Sequence, residues 1–313
     1  MSLTGIARFA VKGLSSDRLR QVELRDSAGL PNDRRFAFVF RRSAHLLEEN
    51  KWLHKENFVS VFATPKLASG LSTSFNDRSG VLTIRRQGGD GSPVLQACLE
   101  TADGRQLVSR FLSEEAGEPV ECIDGAETHQ FGNTSKGLSA SGDMRTLHIV
   151  NANTVRELSK AAGVPLDPRR FRPNLIVDDV PAWEEFAWVE QSIRIGKRAE
   201  LAVIARAVRC PGIDRSSELS ESDGGGDSGG HVDVAALLTR HFPEHGPYLG
   251  VYAQCTRGGH IAVGDGVELR PRTAQQSPKA HAVVRALGAI VLHVLLVMAA
   301  MYLWSMWKQR GGR

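Results

Sequence analysis

Short stretches of alternating apolar and polar residues dominate the first 124 residues of the chain. Five of them, each bounded by turn-forming residues, read GIARFAVKG (5–13), RRFAFVFRR (34–42), NFVSVFATP (57–65), GVLTIRRQG (80–88) and PVLQACLET (93–101). Alternation with period two is typical of half-buried strands, and many short strands at this spacing are typical of an antiparallel barrel or sandwich. One stretch, Gly104 to Glu115, has helical spacing instead. The pattern predicts a mainly β N-terminal region with one helix.

A polar, Gly- and Ser-rich stretch, residues 125–143, predicts a long loop, and regular patterns return after it. The pattern of apolar residues then predicts strands at 145–150, 174–178, 192–196, 200–208, 248–256 and 260–269. It predicts helices at 151–162 and 232–241 and a short helical turn at 182–187. Asn151 or Asn153 can cap the first of these helices, and Gly163 can end it. Residues 216–230 are very hydrophilic and predict an exposed insert.

The C-terminal end has a different character. A polar linker, residues 271–285, leads to residues 286–304, which contain no formal charge. As a helix this stretch would measure about 29 Å, close to the hydrocarbon thickness of a bilayer. The alternative is a buried core helix. Because the N-terminus lacks a signal-peptide pattern, we expect a single-pass C-terminal anchor at the cytoplasmic face of a membrane, such as the inner membrane of a bacterium.

Charge and cysteine content exclude several classes of protein. The formal net charge of +4 is spread along the chain, with basic and acidic residues interleaved, which argues against nucleic-acid binding. The four cysteines lie far apart without a CxxC pair, which argues against a zinc ribbon, an iron–sulfur cluster or a disulfide framework. A reducing compartment is therefore expected.

Arg209 and Cys210 carry the strongest candidate chemistry. They end an apolar run and follow RFRPN at 170–174. A thiolate is favoured beside a cation and is a good ligand for a thiophilic metal. Taken alone, however, such a cysteine is more often a small buried hydrophobe. Lys12 and Arg34 would likewise read as solvated ends of strands.

The order of several motifs resembles a known family. The motifs are ARFAVKGL (7–14), GLPNDRRFAFVF (29–40), RFRPNLIVD (170–178), WEE (183–185), RC (209–210) and LGVYAQCTRGGHIAVGDGVEL (249–269). In this order they resemble the MOSC proteins that carry an N-terminal MOSC β-barrel, including the amidoxime-reducing component and its bacterial relatives.

The resemblance implies a mainly β (α+β) fold and a site for a molybdenum–molybdopterin cofactor. An N-terminal barrel-like domain, residues 1–124, would pack with a MOSC β-barrel domain, residues 125–270. Cys210 would ligate the metal and act in catalysis. The cofactor-binding residues would be Lys12, Arg34, Asn151, Thr154, Arg172, Asn174 and Arg209, with Arg170 as a further candidate.

The resemblance also implies a reductase of N-hydroxylated or related N–O or S–O substrates. Its electrons would come from a separate reductase or ferredoxin-type protein, because no cysteine quartet follows the barrel. Two other hypotheses stay open. Cys210 could carry a persulfide or ferry the cofactor without redox chemistry, or the domain could be degenerate and serve only to bind a partner at the membrane.

Overall fold

The computed structural model describes residues 1–47, 53–60, 62–125, 131, 146–209 and 232–270. Its strands in these ranges are β1 (Ser2–Arg8), β2 (Asp17–Leu19), β3 (Gln21–Leu24), β4 (Phe36–Phe40), β5 (Leu71–Asn76), β6 (Val81–Arg86), β7 (Pro93–Cys98), β8 (Val120–Asp124), β9 (Leu147–Asn151), β10 (Leu175–Asp178), β11 (Ser192–Ile195), β12 (Ala199–Val208), β13 (Tyr248–Arg257), β14 (Gly259–Ala262) and β15 (Val267–Arg270). The α-helices are α1 (Pro65–Gly70), α2 (Ala102–Ala116), α3 (Ala152–Ala162) and α4 (Val234–His241).

The largest sheet has eight strands in the order β15-β11-β12-β13-β9-β10-β1-β2 and curls into a half-barrel. β9 and β10 pair in parallel and are connected through α3, whereas β1 pairs with β10 in the antiparallel sense. Ile6 lies opposite Leu175 in this pairing. The N-terminal strand therefore extends a sheet built from the second half of the chain.

The described residues also form three smaller sheets: β14-β3, β4-β8 and β5-β6-β7. All five residues of β4, FAFVF, are buried, because both of its faces are covered by apolar side chains. Phe36 and Phe38 pack in one apolar cluster with Leu82 of β6 and Leu112 of α2. This cluster fixes β4 and the segments that flank it.

Residues 1–270 form one compact unit. Strand pairing crosses the predicted boundary at residues 124 and 125, since β1 and β2 belong to the eight-stranded sheet and β3 pairs with β14. The division into two barrel-like domains stays a prediction.

The prediction of mainly β structure is confirmed, and so is the helix at 151–162. The Asn151 side chain accepts a hydrogen bond from the Asn153 amide at 3.0 Å and caps α3, and Gly163 ends the helix in the left-handed region at φ 69°. Such a conformation suits glycine, because it has no β-carbon to clash.

Two predicted strands are wrong. The described residues of 57–65 form no strand beyond one isolated bridge between Val39 and Phe58, because Lys55–Asn57 is a 3-10 helix and Pro65 begins α1. Proline at the first helical turn is favourable, since its missing N–H would be unpaired there anyway. The predicted strand 260–269 is two strands, β14 and β15, in different sheets, separated by a turn at Gly264 with φ 99°.

The expected membrane location requires a correction. None of the helices in the described residues is long and apolar enough to cross a membrane. The longest, α2, has 15 residues and several charged side chains. The predicted membrane span, residues 286–304, and the linker 271–285 lie outside the described residues. The prediction of a location at a membrane is therefore wrong for the part of the chain that the structure describes.

Candidate functional site

Two arginines from distant parts of the sequence meet at the ring of Phe9. Phe9 follows β1 and is fully buried. The guanidinium carbon of Arg34 lies 4.7 Å from the centroid of this ring, and that of Arg172 lies 4.1 Å from it. Guanidinium groups within about 6 Å of a ring centroid are attracted to the ring by its quadrupole. Phe9 thus brings together two of the predicted cofactor-binding residues.

Both arginines have left-handed backbone conformations, with φ 52° at Arg34 and 55° at Arg172. For a residue with a β-carbon this conformation costs about 1–2 kcal/mol and persists only where the surroundings enforce it. The Arg34 amide donates to the Phe9 carbonyl at 2.6 Å, and the Arg172 amide donates to Arg169 at 2.8 Å. Such enforced conformations are concentrated at functional sites.

Asp33 also holds Phe9 and Arg34 in position. One of its oxygens accepts a hydrogen bond from the Phe9 amide at 2.8 Å, and the other forms an ion pair with Arg34. Arg34 also donates to the Arg172 carbonyl at 3.5 Å. The two arginines are therefore joined both through the ring and through the backbone.

Lys12 is the third cation of this group. Its amide donates to the Phe36 carbonyl at 2.8 Å, which attaches the turn after β1 to β4. Its amine donates to the Phe131 carbonyl at 3.2 Å and lies 5.1 Å from the centroid of the Phe58 ring. The next residue, Gly13, has φ 87°, and a β-carbon there would come within 2.3 Å of a backbone oxygen, so the turn requires glycine.

The pKa of Lys12 is lowered to about 7. Burial is the largest cause, and repulsion from Arg34, Arg172 and Lys55 adds to it in that order. Because each of these neighbours is a cation, the amine lies in a positive electrostatic potential. An anion bound among these groups would be attracted by all of them.

Arg209 approaches the same region from the end of β12. It is 8% exposed, its amide donates to the Pro247 carbonyl at 2.8 Å, and its guanidinium donates to the Phe171 carbonyl at 3.1 Å. Phe171 directly precedes Arg172, so this hydrogen bond places Arg209 close to Arg172, another predicted cofactor-binding residue. Arg170, the further candidate, is buried one residue before Phe171.

His148 of β9 contacts the Arg172 backbone and is affected by the charge of Arg209. Its Nδ1 is 3.3 Å from the Arg172 carbonyl, which can only accept, so Nδ1 carries the proton. Nε2 is buried and has no hydrogen-bond partner in the described part of the chain. Burial is the main cause that lowers the pKa of His148 well below its usual value, and the charge of Arg209 is the next. The imidazole is therefore neutral beside these positive groups.

Asn174 holds three strands together. Its side chain accepts from the His148 amide at 3.0 Å and donates to the Ala7 carbonyl at 3.2 Å. Its backbone also bonds to both residues. In this placement Asn174 positions β1 against β9 and β10, and its role as a cofactor ligand stays a prediction.

Asn151 and Thr154 surround a buried carboxyl group that belongs to Glu185. One Glu185 oxygen accepts from Asn151 and from Thr154, both at 2.9 Å, while the other has no partner among the described residues. Burial is the main cause that raises the pKa of Glu185. Thr154 also accepts from the Trp183 amide at 2.8 Å. The two predicted cofactor ligands thus contact Glu185 in the structure, and their predicted role is untested.

Cys210, the predicted metal ligand, lies outside the described residues, and so does the predicted insert 216–230. Among the residues that the structure does describe, no group of three His, Cys, Asp or Glu side chains could hold a metal ion. The other three cysteines, Cys98, Cys122 and Cys255, are free thiols.

The site contains residues that the sequence alone did not indicate: Phe9, Asp33, Phe131, His148 and Glu185. Phe9 and His148 lie in stretches that read as ordinary strand, and Phe131 lies in the predicted loop. Glu185 is the last residue of the WEE motif, and that motif was the one feature of the sequence that pointed to it. As a whole, the arrangement can bind an anionic group through convergent cations.

Comparison with known proteins gives a domain match in the second half of the chain. Residues 129–268 match the family model of the MOSC domain, whereas no curated protein matches. Among solved structures, the YuaD protein from Bacillus subtilis is 11% identical with a TM-score of 0.38, covering 87% of this chain and 96% of that one. YiiM from Geobacillus stearothermophilus is 14% identical with a TM-score of 0.29, covering 43% of this chain and 59% of that one. Scores this low support no argument of their own. The comparison thus gives a MOSC domain at residues 129–268 of the chain.

Proposed function

We propose that the chain binds a molybdenum–molybdopterin cofactor and is an oxidoreductase that uses it. The observation that carries the proposal is the meeting of Arg34 and Arg172 at the Phe9 ring. Lys12 lies within the electrostatic field of both arginines, and Arg209 donates to the Phe171 carbonyl beside Arg172. The MOSC domain match supports the same cofactor class.

The residues fit an anionic group of this kind. A terminal phosphate needs arginine forks and lysine charges in convergent positions, and an arginine can bind it through two parallel hydrogen bonds. Arg34 and Arg209 are nearly buried, so their charges are weakly screened by water. The pKa of Lys12, lowered to about 7, would rise again when an anion balances the positive potential.

Cys210 follows Arg209 directly in the chain, and we assign to it the role of metal ligand. The positive charge of Arg209 would favour the thiolate form of a neighbouring cysteine, which is the form that binds metal. The cofactor would supply two-electron redox chemistry at the metal. The chain would supply orientation, charge neutralisation and a site closed within a MOSC-type barrel, with electrons arriving from a separate reductase or ferredoxin-type protein.

Cofactor content tests this proposal. We expect the purified full-length chain to contain molybdenum by metal analysis and a fluorescent pterin after oxidation, and we expect Cys210→Ala to lose the metal. Cys98→Ala is the matched control, because Cys98 ends β7 and its thiol contacts the Ser79 carbonyl at 3.3 Å. The proposal is wrong if the wild-type chain contains neither molybdenum nor pterin.

The substrate class is tested separately. Loaded protein with a chemically reduced viologen as donor should reduce an amidoxime to the amidine, and Arg172→Gln should lower the rate together with the cofactor content. Cofactor bound at full occupancy without any reduction of N–O or S–O compounds would instead favour the carrier hypothesis.

A further inference from the structure

Arg172 has a backbone conformation that its own sequence context disfavours. Its φ is 55° and its ψ is 49°, in the left-handed region, at the end of the 3-10 helix Pro168–Phe171. Pro173 follows it, and a residue before proline favours extended backbone. Left-handed backbone is also disfavoured for a residue that has a β-carbon. Contacts from other parts of the chain must therefore hold Arg172 in place.

His148 of β9 makes three hydrogen bonds with the segment 172–174. Its Nδ1 donates to the Arg172 carbonyl at 3.3 Å, and its amide donates to the Asn174 side chain at 3.0 Å. Its carbonyl accepts from the Asn174 amide at 2.7 Å. In the eight-stranded sheet β9 is paired on both edges, with β13 and with β10. His148 thus attaches the Arg172 carbonyl to an interior strand of the sheet.

Packing fixes the orientation of the His148 ring. The residue is buried, and the centroid of its ring lies 5.3 Å from that of Tyr252. A β-carbon at Gly250 would lie 2.7 Å from Nε2, so the ring has room there only because residue 250 is glycine. Burial, followed by the charge of Arg209, lowers the pKa of His148 and keeps the ring neutral. The Nδ1 donor is therefore already aimed at the Arg172 carbonyl before any ligand binds.

The backbone contact also affects where the Arg172 side chain lies. Its guanidinium carbon is 4.1 Å from the centroid of the Phe9 ring, where it meets Arg34. Arg34 donates to the same Arg172 carbonyl, but at a longer distance of 3.5 Å. If the His148 contact is lost, Arg172 should relax toward the extended backbone that Pro173 favours. Its guanidinium should then move away from the ring and from Arg34.

We infer that His148 is a positioning residue for the anion site: the hydrogen bond from its Nδ1 holds Arg172 in the conformation that places its guanidinium at the Phe9 ring. The inference rests on the anion site of the proposed function and adds a neutral residue to the cations of that site. Nδ1 is the nitrogen that matters, because Nε2 has no hydrogen-bond partner in the described part of the chain. Asparagine and glutamine separate the two nitrogens, since the amide nitrogen of asparagine lies nearest the position of Nδ1 and that of glutamine nearest the position of Nε2.

Inorganic phosphate is the probe for the test. Isothermal calorimetry measures its affinity for the full-length chain that carries Cys210→Ala and is free of pterin by fluorescence. His148→Leu should weaken phosphate binding by about 3- to 10-fold, the effect of losing one hydrogen bond. His148→Asn should bind phosphate like its parent, whereas His148→Gln should resemble His148→Leu. His260→Leu is the control, because His260 is exposed on β14, and it should leave the affinity unchanged.

A double-mutant cycle separates positioning of Arg172 from a general structural role. If His148 acts through Arg172, then His148→Leu should change the phosphate affinity of Arg172→Gln by less than about twofold. An equal loss with and without the Arg172 side chain would overturn the inference, because it would show that His148 supports the site as a whole. If His148→Leu does not fold, the other two variants decide, and a His148→Gln protein that binds phosphate as tightly as His148→Asn would overturn it.

The failures of the two proposals are distinguishable. If the wild type contains neither molybdenum nor pterin, but His148→Leu weakens phosphate binding and His148→Asn does not, the proposed function is wrong and the inference holds. If the wild type contains the cofactor, but His148→Leu binds phosphate as tightly as its parent, the inference is overturned and the proposed function stands. A parent protein that binds no phosphate would also overturn the inference.

Discussion

Replacing Lys12 by methionine should stabilise the protein, and the gain should shrink as the pH rises. The native pKa of Lys12 is about 7 and its ordinary value is 10.5. Between these two values the unfolded chain binds a proton that the native chain does not, so the free energy of unfolding of the Lys12 protein rises with pH. Methionine has a similar length and no titrating group, and this rise should be absent from the variant.

The magnitude follows from the two pKa values. Each pH unit between them changes the free energy of unfolding by about 1.4 kcal/mol, and the change is partial close to pH 7, where the native amine is half protonated. Between pH 7 and pH 9 the stability advantage of Lys12→Met should therefore fall by about 2 kcal/mol.

Urea unfolding at pH 7, 8 and 9, followed by circular dichroism, measures this difference. Both proteins should carry Cys210→Ala and be free of pterin by fluorescence, so that a bound cofactor adds nothing to the stability of the native state. Lys160→Met is the control, and its difference from the parent should not change over this range. A Lys12→Met advantage that is constant from pH 7 to pH 9 would refute a neutral, buried amine.

Three further positions are tested, two of them in the site and the third, Gly250, in β13. Phe9→Leu should weaken the binding of inorganic phosphate by about 5- to 30-fold, because two guanidinium groups each lose a contact with an aromatic ring worth about 0.5–1 kcal/mol. Isothermal calorimetry measures this affinity, and Phe75→Leu is the control that should show no such loss. Glu185→Ala should lower the free energy of unfolding by about 2–4 kcal/mol, because two buried donors lose their acceptor, and Glu185→Gln by less. Since burial raises the pKa of Glu185, wild-type stability should fall as the pH rises above about 4.5, and the Gln variant should lack that fall in urea titrations. Gly250→Ala should cost more than about 3 kcal/mol in thermal or urea unfolding, because its φ is 75° and a β-carbon would lie 2.5 Å from the Ile149 carbonyl oxygen.

Local sequence signals were sufficient where structure is set by neighbouring residues. The cap at Asn151 and the stop at Gly163 defined α3, and alternation located β4 and β6. The same alternation was misleading at residues 57–65, where a proline and a short 3-10 helix determine the backbone instead. An apolar run at the C-terminus was likewise not sufficient to establish a membrane location.

The site was predictable only through the resemblance to a family. Lys12, Arg34 and Arg172 carry no local signal that they converge, because their meeting depends on the pairing of β1 with β10. Phe9 is one apolar residue among many in the alternating runs. The unpartnered nitrogen of His148 is a property of the packed structure, and no spacing in the sequence reveals it.

The pairing of β1 with β10 also has a consequence for the order of assembly during synthesis. Ile6 cannot pair with Leu175 until that residue has been synthesised and has left the ribosome. Because the two residues are far apart in the sequence, the pairing of β1 with β10 is a slow folding step. Until then Phe9 and Lys12 are present without Arg172. Conversely, a fragment that starts at residue 129 would lack β1 and expose the edge of β10. The unpaired backbone groups of that edge could then form hydrogen bonds with a strand of another chain. The cation site is therefore one of the last features of the fold to form, and neither half of the chain can build it alone.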